Sequence, residues 1–258
     1  MNLSGKLYTE HGFTLIEILI SLAISSIVIT GIYNTYSSQQ ESYILQERVV
    51  TMHQNLRAAL DIMTREIRMA GYDPQESGLY QIVSADEDGF SFDSDLLDDG
   101  GAPGGGENFF YELYDSNGDG NDNTLRRTPG GSAVVQDIEA LSFAYAYDSD
   151  DNGALEVDGG NIRWVTDSDG DGLWDRLDTN NDGLIDVNDT PGGTAMGETM
   201  QLDTIRCVRI WLLARIENPD RAFSNTSTYV VGSKHIAVND NTRRKLMVQT
   251  IKLRNLGL

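Results

Sequence analysis

Residues 12–32 read GFTLIEILISLAISSIVITGI, a long and nearly uninterrupted apolar segment near the start of the chain. Residues 13–32 are apolar except for Glu17 and several small hydroxyl side chains. As a helix, a segment of this length extends about 30 Å, which matches the hydrocarbon thickness of a bilayer. A secretory signal is cut after its apolar segment, but the sequence after Ile32 is polar and carries no such site. We therefore expect a membrane-spanning helix at 13–32 that remains on the mature protein, with any cleavage before it.

Glu17 is the unusual residue of this segment. A carboxylate inside the bilayer costs about 2.5 kcal/mol or more unless it has a partner, so it indicates a functional role. Cleavage after Gly12 would place a new α-amine on Phe13 at nearly the same depth, and such a cation is a suitable partner. The alternative is that Glu17 reaches the interface by extending its side chain toward water.

The string GFTLIE at 12–17 resembles the processing motif of type IV prepilins and of the pseudopilins of type II secretion. The resemblance implies that a prepilin peptidase in the inner membrane removes a leader at 1–12. It also implies that Phe13 is then N-methylated and that Glu17 docks each subunit against its neighbour. The precursor would cross the inner membrane once and later become part of a pilus at the cell surface, with its globular part outside the cytoplasm.

An apolar stripe continues the helix beyond the membrane segment. Its members recur every three or four residues, which is the period of an amphipathic helix. They are Leu45, Val49, Met52, Leu56, Leu60, Met63 and Ile67. Gly71 and Pro74 then stop the pattern. The sequence predicts one helix over 13–70, whose amphipathic half, within 33–74, packs on a globular domain at 75–258.

Short β-branched and aromatic segments predict the strands of this globular domain. They are 79–85, 89–93, 108–114, 124–128, 138–147, 204–216 and 245–254. We expect loops at 94–106 and 217–228, and we expect Cys207 to be a small buried residue within a strand. The predicted fold class is α+β: a long N-terminal helix packed on a small antiparallel sheet. An acidic, loop-rich insertion at 148–190 interrupts it.

Two further segments narrow the resemblance. Residues 63–74 (MTREIRMAGYDP) are similar to the helix end of PilW-type minor pilins and, more loosely, of J-type minor pseudopilins. Residues 248–255 (VQTIKLRN) are similar to the last strand of the PilW group. This implies a minor pilin that helps to initiate or cap the pilus, with other minor and major pilins as partners. The alternatives are a J-type pseudopilin of a type II secretion system and a calcium-dependent adhesion module on a pilin anchor.

The charge of the chain is concentrated in one segment. Asp and Glu number 40 against 19 Lys and Arg, and residues 86–190 hold 27 of the acidic but only four of the basic residues. This balance argues against nucleic acid as a partner, because a phosphate backbone requires neutralising cations. The single cysteine excludes an intramolecular disulfide and a multi-cysteine metal site. The local excess indicates cation binding or long solvated loops.

Residues 167–189 contain two overlapping twelve-residue loops with calcium-ligand spacing. Oxygen side chains occupy positions 1, 3, 5, 9 and 12, Gly occupies position 6, and the backbone carbonyl of position 7 is the remaining ligand. The predicted ligands are Asp167, Asp169, Asp171, Leu173, Asp175 and Asp178 in the first loop, and Asp178, Asn180, Asp182, Leu184, Asp186 and Asp189 in the second. The pattern resembles thrombospondin type 3 repeats more than an EF-hand, because position 12 is Asp and no helix separates the loops. We expect one to two or more Ca²⁺ ions here, and a disordered acidic loop is the alternative.

Two other segments, 148–159 and 115–126, begin with the same pattern. They carry Gly159 and Arg126 at position 12, so each is a weaker candidate for a metal site, and a solvated turn is the alternative. The chain has no Ser-His-Asp order, no phosphate-binding glycine loop before a helix and no HExxH motif. Calcium spacing accounts for its paired carboxylates better than acid–base catalysis does. We therefore expect a protein that is not an enzyme.

Overall fold

The computed structural model describes residues 12–116, 118, 123–129 and 131–256. The predicted leader lies outside these residues, apart from Gly12. The chain divides after Arg48 into two compact units. In the described part, the first unit is residues 12–48 and the second begins at Val49.

Helix α1 (Leu15–Ile67) is 53 residues long and confirms the predicted N-terminal helix. Among the described residues it is the one helix that is long and apolar enough to cross a membrane. The large apolar side chains of its first part, such as Leu22, Ile27 and Ile29, are exposed. Such side chains are buried from water only by lipid or by other helices, which agrees with the membrane segment that the sequence predicts at residues 13–32.

The second part of α1 buries one face within the globular unit. The buried residues are Met52, Leu56, Ala59, Leu60, Met63 and Ile67. All of these except Ala59 belong to the predicted stripe, of which they are the last five members. The helix ends at Ile67 rather than at the predicted residue 70, because the chain continues as a tighter turn in which Ala70 N–H donates to the carbonyl of Ile67. Gly71 has a φ of 68°, and an added Cβ would lie 2.4 Å from a methyl of Leu256. A larger residue would therefore be strained at this helix stop, which favours glycine there.

The first half of the globular unit is a five-stranded antiparallel meander. Its strands follow chain order: β1 (Ile82–Ala85), β2 (Gly89–Asp93), β3 (Asn108–Tyr114), β4 (Thr124–Thr128) and β5 (Ser132–Gln136). The turn between β3 and β4 is the acidic segment 115–123, and the last three positions of the 115–126 candidate loop lie in β4. Part of that turn lies outside the described residues.

A six-stranded antiparallel sheet follows, in the order β11-β10-β9-β6-β12-β15. Its strands are β6 (Ile138–Tyr147), β9 (Val165–Thr166), β10 (Leu173–Arg176), β11 (Thr194–Thr199), β12 (Ile205–Arg215) and β15 (Arg244–Lys252). Two hairpins lie outside this sheet: β7 (Val157–Asp158) with β8 (Asn161–Ile162), and β13 (Thr228–Val231) with β14 (Lys234–Ala237). The strands therefore form two large sheets, where the sequence predicted one small sheet.

All seven predicted strands are present. Apart from Thr228, the first residue of β13, the predicted loops at 94–106 and 217–228 contain no helix or strand longer than an isolated bridge. Strands β5, β7 to β11, β13 and β14 were not predicted. Of these, β7 to β10 lie in the acidic insertion, whose turn residues hide the two-residue alternation that identifies strands. Cys207 is buried within β12, as predicted.

Aromatic side chains join the two sheets. The ring of Phe90 in β2 lies 5.9 Å from Phe143 and 5.7 Å from Tyr145 in β6, measured between ring centres. The Tyr145 hydroxyl donates to the carbonyl of Asp86 at 2.8 Å. The core continues into the insertion, because Trp174 in β10 lies 6.0 Å from Tyr145. The insertion is thus anchored to the main core by a buried tryptophan.

Glu66 fixes the end of α1 to the first sheet. Its carboxylate accepts hydrogen bonds from the hydroxyl of Tyr111 and, at 2.7 Å, from the guanidinium of Arg127. Tyr111 is fully buried, and burial with the adjacent Glu66 raises its pKa well above the ordinary value for a tyrosine. The Tyr111 hydroxyl therefore stays protonated and remains a hydrogen-bond donor to Glu66.

Candidate functional site

The first candidate site is the start of helix α1, where Thr14 and Glu17 cap each other. The backbone N–H and the hydroxyl of Thr14 both donate to the Glu17 carboxylate at 2.8 Å. The N–H of Glu17 donates back to the Thr14 hydroxyl at 3.3 Å. This reciprocal arrangement is a capping box, which satisfies backbone donors that a helix start leaves free.

The capping box adds Thr14 to the predicted set of Gly12, Phe13 and Glu17. The sequence signal was available, because Thr14-Leu15-Ile16-Glu17 has the T-x-x-E spacing of a capping box. Phe13 is exposed and lies directly before the cap. An α-amine on Phe13 would therefore stand one residue from the group that holds the Glu17 carboxylate.

The first predicted calcium loop folds around Asp167. Its two carboxylate oxygens accept the N–H groups of Gly170 at 2.7 Å and of Gly172 at 3.0 Å. Gly172, at position 6, has a φ of 79°, which is the conformation for which glycine was predicted there. Ligand oxygens of Asp167, Asp169 and Asp175 lie within 4.8 Å of one another. The structure therefore brings positions 1, 3 and 9 together, as calcium coordination requires.

The second loop repeats the turn around Asp178. This carboxylate accepts the N–H groups of Asp182 at 3.2 Å and of Gly183 at 2.8 Å. Asp189, at position 12, closes the loop by accepting from the N–H groups of Thr179 at 2.7 Å and Asp186 at 2.8 Å. Among the described residues, the second loop does not gather three carboxylates as closely as the first loop does.

A third loop, 148–156, has the same internal hydrogen bonds. Asp148 accepts the N–H groups of Asn152 at 3.2 Å and of Gly153 at 2.9 Å. Burial alone would raise the pKa of Asp148, but these N–H donors outweigh it and hold the pKa below its ordinary value. Glu156, at position 9, accepts from the N–H and hydroxyl of Ser149.

Glu156 is the residue that the sequence analysis missed. Asp175 occupies the equivalent place in the first loop, where it accepts from the N–H and hydroxyl of Ser168 at 3.0 and 2.7 Å. This loop has Gly159 at position 12, and its acidic residue stands at position 9 instead. In the 115–126 segment, Gly118 N–H donates to Asp115 at 2.7 Å, and the remaining candidate positions 117, 119 and 120 lie outside the described residues.

The burial of the carboxylates in 167–189, and their lack of counter-charges within the described structure, suit the binding of a cation. Four of them are buried: Asp167, Asp175, Asp178 and Asp189. Within the part of the chain that the structure describes, no carboxylate of 167–189 forms an ion pair with Lys, Arg or His. Buried charge without a counter-charge is costly, and N–H donors compensate only part of that cost. An oxygen-rich donor set of this kind is the one that Ca²⁺ takes.

The model of the family described as type IV pilus-assembly protein W matches residues 112–255, which is more than half of the chain. This chain belongs to the PilW family. A second model, described as the prokaryotic N-terminal methylation motif, matches residues 8–33. The PilW region contains all three loops of the insertion, and the methylation motif contains the Thr14–Glu17 cap.

No curated protein is significantly similar in sequence to this PilW-family chain. Among solved structures, it is similar to a type IV-like pilin from Thermus thermophilus, with 16% sequence identity and a TM-score of 0.43. That similarity covers 80% of this chain and 98% of the Thermus chain.

A second group of carboxylates, which was not predicted, lies within the predicted loop 94–106 and directly after it. Ligand oxygens of Asp95, Asp99 and Glu107 lie within 4.8 Å of one another, and Asp95 and Glu107 are buried. Backbone N–H groups of Leu97 and Gly104 donate to Glu107 at 3.2 and 2.9 Å. These hydrogen bonds hold the backbone of the glycine-rich loop in a defined conformation.

Proposed function

We propose that this PilW-family protein is a minor pilin, cleaved after Gly12, N-methylated on Phe13 and built into a type IV pilus. The match of the PilW model to residues 112–255 carries this proposal, and the methylation motif at 8–33 supports it. The protein would help to initiate or cap the fibre in contact with other minor and major pilins. Its role would be structural rather than enzymatic, first in the inner membrane and then at the cell surface.

Glu17 is the proposed assembly residue. Within the described chain, its carboxylate accepts only from Thr14, and both donors are neutral. A carboxylate in an apolar helix bundle needs a cation to offset the loss of water. The α-amine of Phe13 on a neighbouring subunit would supply that charge, while Thr14 holds the carboxylate at the helix start.

A substitution at Gly12 tests the processing step. An added Cβ at Gly12 would meet no atom within 4 Å in the described structure, so the Cβ of the Gly12→Val variant has room there. In a deletion strain, the variant should accumulate in the membrane with its leader attached and should be absent from sheared fibres. The wild-type gene should restore processed protein to the fibres. A processed Gly12→Val chain in the fibres would contradict the proposed site.

The calcium sites are a second part of the proposal. The observations that support them are the shared turn geometry of 148–156, 167–178 and 178–189 and the unpaired buried carboxylates. The proposed side-chain ligands are those predicted from sequence, with Asp148, Asp150, Asn152 and Glu156 added for the third loop. Bound Ca²⁺ would neutralise the carboxylates and order the insertion. We expect dissociation constants of about 10⁻⁴ to 10⁻³ M, as in other extracellular calcium modules.

A J-type pseudopilin and a calcium-dependent adhesion module remain as outcomes of these experiments. The PilW match favours the pilin over the pseudopilin. Fractionation separates them, because a pilin is recovered in sheared surface fibres whereas a pseudopilin stays in the cell envelope. An adhesion module would bind a surface in a calcium-dependent way without any defect in pilus number when it is deleted.

A further inference from the structure

Strand β15 differs from the other outer strands of the two large sheets. The pairings of β1, β5 and β11 each contain an irregularity, and none of these strands is longer than six residues. Such short, irregular edges discourage pairing with another chain. In contrast, β15 pairs with β12 through nine consecutive residues without a bulge, and it contains neither proline nor glycine.

The outward backbone groups of β15 can be assigned from the hydrogen bonds at its two ends. The carbonyl of Arg243 accepts from Ile216, and the N–H of Leu253 donates to Arg206, so odd-numbered residues face β12. Neighbouring residues of an antiparallel strand alternate in direction. The N–H and C=O groups of Leu246, Val248 and Thr250 therefore point away from the sheet.

These outward groups are nearly unpaired. Among the described residues, only the side-chain amide of Gln249 reaches one of them, the Thr250 carbonyl, at 3.1 Å. Val248 is 47% exposed, and Lys245, Thr250 and Lys252 are also exposed. A row of free N–H and C=O groups along a straight edge is complementary to one kind of partner, an extended strand.

The side chains of β15 define that strand further. Val248 and Lys252 lie on the same face of the sheet, four residues apart, because side chains alternate along a strand. Arg209 of β12 adds positive charge on this face, since its guanidinium donates to the Thr250 hydroxyl at 3.1 Å. A complementary strand would place an apolar residue opposite Val248 and an acidic residue opposite Lys252.

We propose that β15 is a docking edge that accepts an extended, acidic and apolar segment of another pilin subunit. The proposal rests on the proposed function, because it takes the partner from the same fibre. The incoming segment would add a seventh strand to the six-stranded sheet. It would form main-chain hydrogen bonds with Leu246, Val248 and Thr250 and displace the Gln249 side chain from the Thr250 carbonyl.

Amide hydrogen exchange at single-residue resolution tests this geometry. Full-length protein produced alone in detergent micelles is compared with tagged protein purified together with the pilins of its own cells. The outward amides of Leu246, Val248 and Thr250 should exchange about tenfold or more slowly in the complex, while the inward amides are slow in both samples. Equally fast exchange in both samples would overturn the proposal. Protection that depends on concentration in the protein alone would assign the edge to a second copy instead.

Val248→Pro and Val248→Ala form a matched pair for the same test in cells. Proline removes the outward N–H of Val248 and is tolerated where that group makes no bond within the sheet, whereas alanine keeps it. We expect Val248→Pro to be depleted about tenfold from sheared fibres and Val248→Ala to be retained. Replacing Lys252 with Glu, which leaves the backbone intact, should also deplete the protein from sheared fibres, and Arg221→Glu in an exposed loop should not.

The N-terminus of each variant separates the two proposals. Failure of the proposed function would leave even the wild-type chain unprocessed or absent from fibres. Failure of the docking edge alone would give methylated Phe13 and equal recovery of Val248→Pro and Val248→Ala in fibres.

Discussion

Asp178 belongs to two loops of the insertion, so its replacement by Asn should remove two calcium sites with one change. It is position 12 of the first loop and position 1 of the second. Its carboxylate is buried and accepts only the N–H groups of Asp182 and Gly183 in the described structure. An Asn side chain keeps one acceptor and removes an unpaired buried charge. Without calcium, Asp178→Asn should therefore be at least as stable as the wild type.

With calcium the order should reverse. A site with a dissociation constant of about 1 mM stabilises the folded protein by about 1.4 kcal/mol at 10 mM Ca²⁺. Two sites would add about 2.8 kcal/mol, and a domain of this size gains about 2–4 °C in Tm for each kcal/mol. Calcium should then raise the wild-type Tm by about 6–11 °C more than it raises the Tm of Asp178→Asn.

Tryptophan fluorescence can follow this unfolding in the full-length protein in detergent micelles. All three tryptophans, Trp164, Trp174 and Trp211, are buried in the globular unit, so the signal reports that unit alone. Each protein is heated in calcium, in magnesium at equal ionic strength, and in EGTA. Asp171→Asn, which affects only the first loop, should lose about half of the effect.

Glu217→Gln is the matched control, because it removes an exposed acidic charge that lies outside the loops. It should keep the full response to calcium. A wild-type Tm that calcium does not raise beyond the effect of magnesium would refute the calcium sites. Equal calcium responses of Asp178→Asn and the wild type would refute the ligand assignment.

Three further predictions concern the fold and the helix start. Burial raises the pKa of Glu87 in the folded protein above its ordinary value near 4.5, so the folded state holds that proton more tightly than the unfolded state does. The stability of the protein should therefore fall as the pH rises from 4.5 through the raised pKa. Glu87→Gln should lessen this fall when Tm is measured in EGTA. Thr14→Ala removes the helix cap, which costs about 1 kcal/mol, so amides in the first turn of α1 should exchange about fivefold faster in micelles. Leu56→Ala empties a fully buried position and should lower the unfolding free energy by about 2–5 kcal/mol, measured by denaturant titration, whereas alanine at the exposed Val50 should change it little.

The N-terminal helix and its end could be predicted from the sequence because each signal is local. The apolar stripe that includes Leu56 and Ile67 has helical spacing, and Gly71 marks a turn in which a larger residue would be strained against Leu256. The signal for the Thr14–Glu17 cap is equally local, because T-x-x-E spacing at a helix start is that of a capping box.

The strand pairing could not be predicted from the sequence to the same extent. Strands β6 and β12 were evident from their own residues. Their partners in the sheet, β9 and β15, are distant from them in the chain, so the pairing depends on long-range contacts. The third loop shows a limit of prediction from sequence spacing. A fixed twelve-residue template made Gly159 look like a missing ligand, whereas the fold places Glu156 in the position that Asp175 occupies in the first loop.

The most direct test of the central claim is mass spectrometry of the protein's N-terminus in sheared surface fibres and in the membrane fraction. A minor pilin should carry an N-methylated Phe13 terminus in the fibres, with the leader-bearing form confined to the membrane. An intact Met1 in both fractions would contradict processing after Gly12 and the assembly role of Glu17. A methylated Phe13 found only in the envelope would contradict the pilin in favour of the pseudopilin.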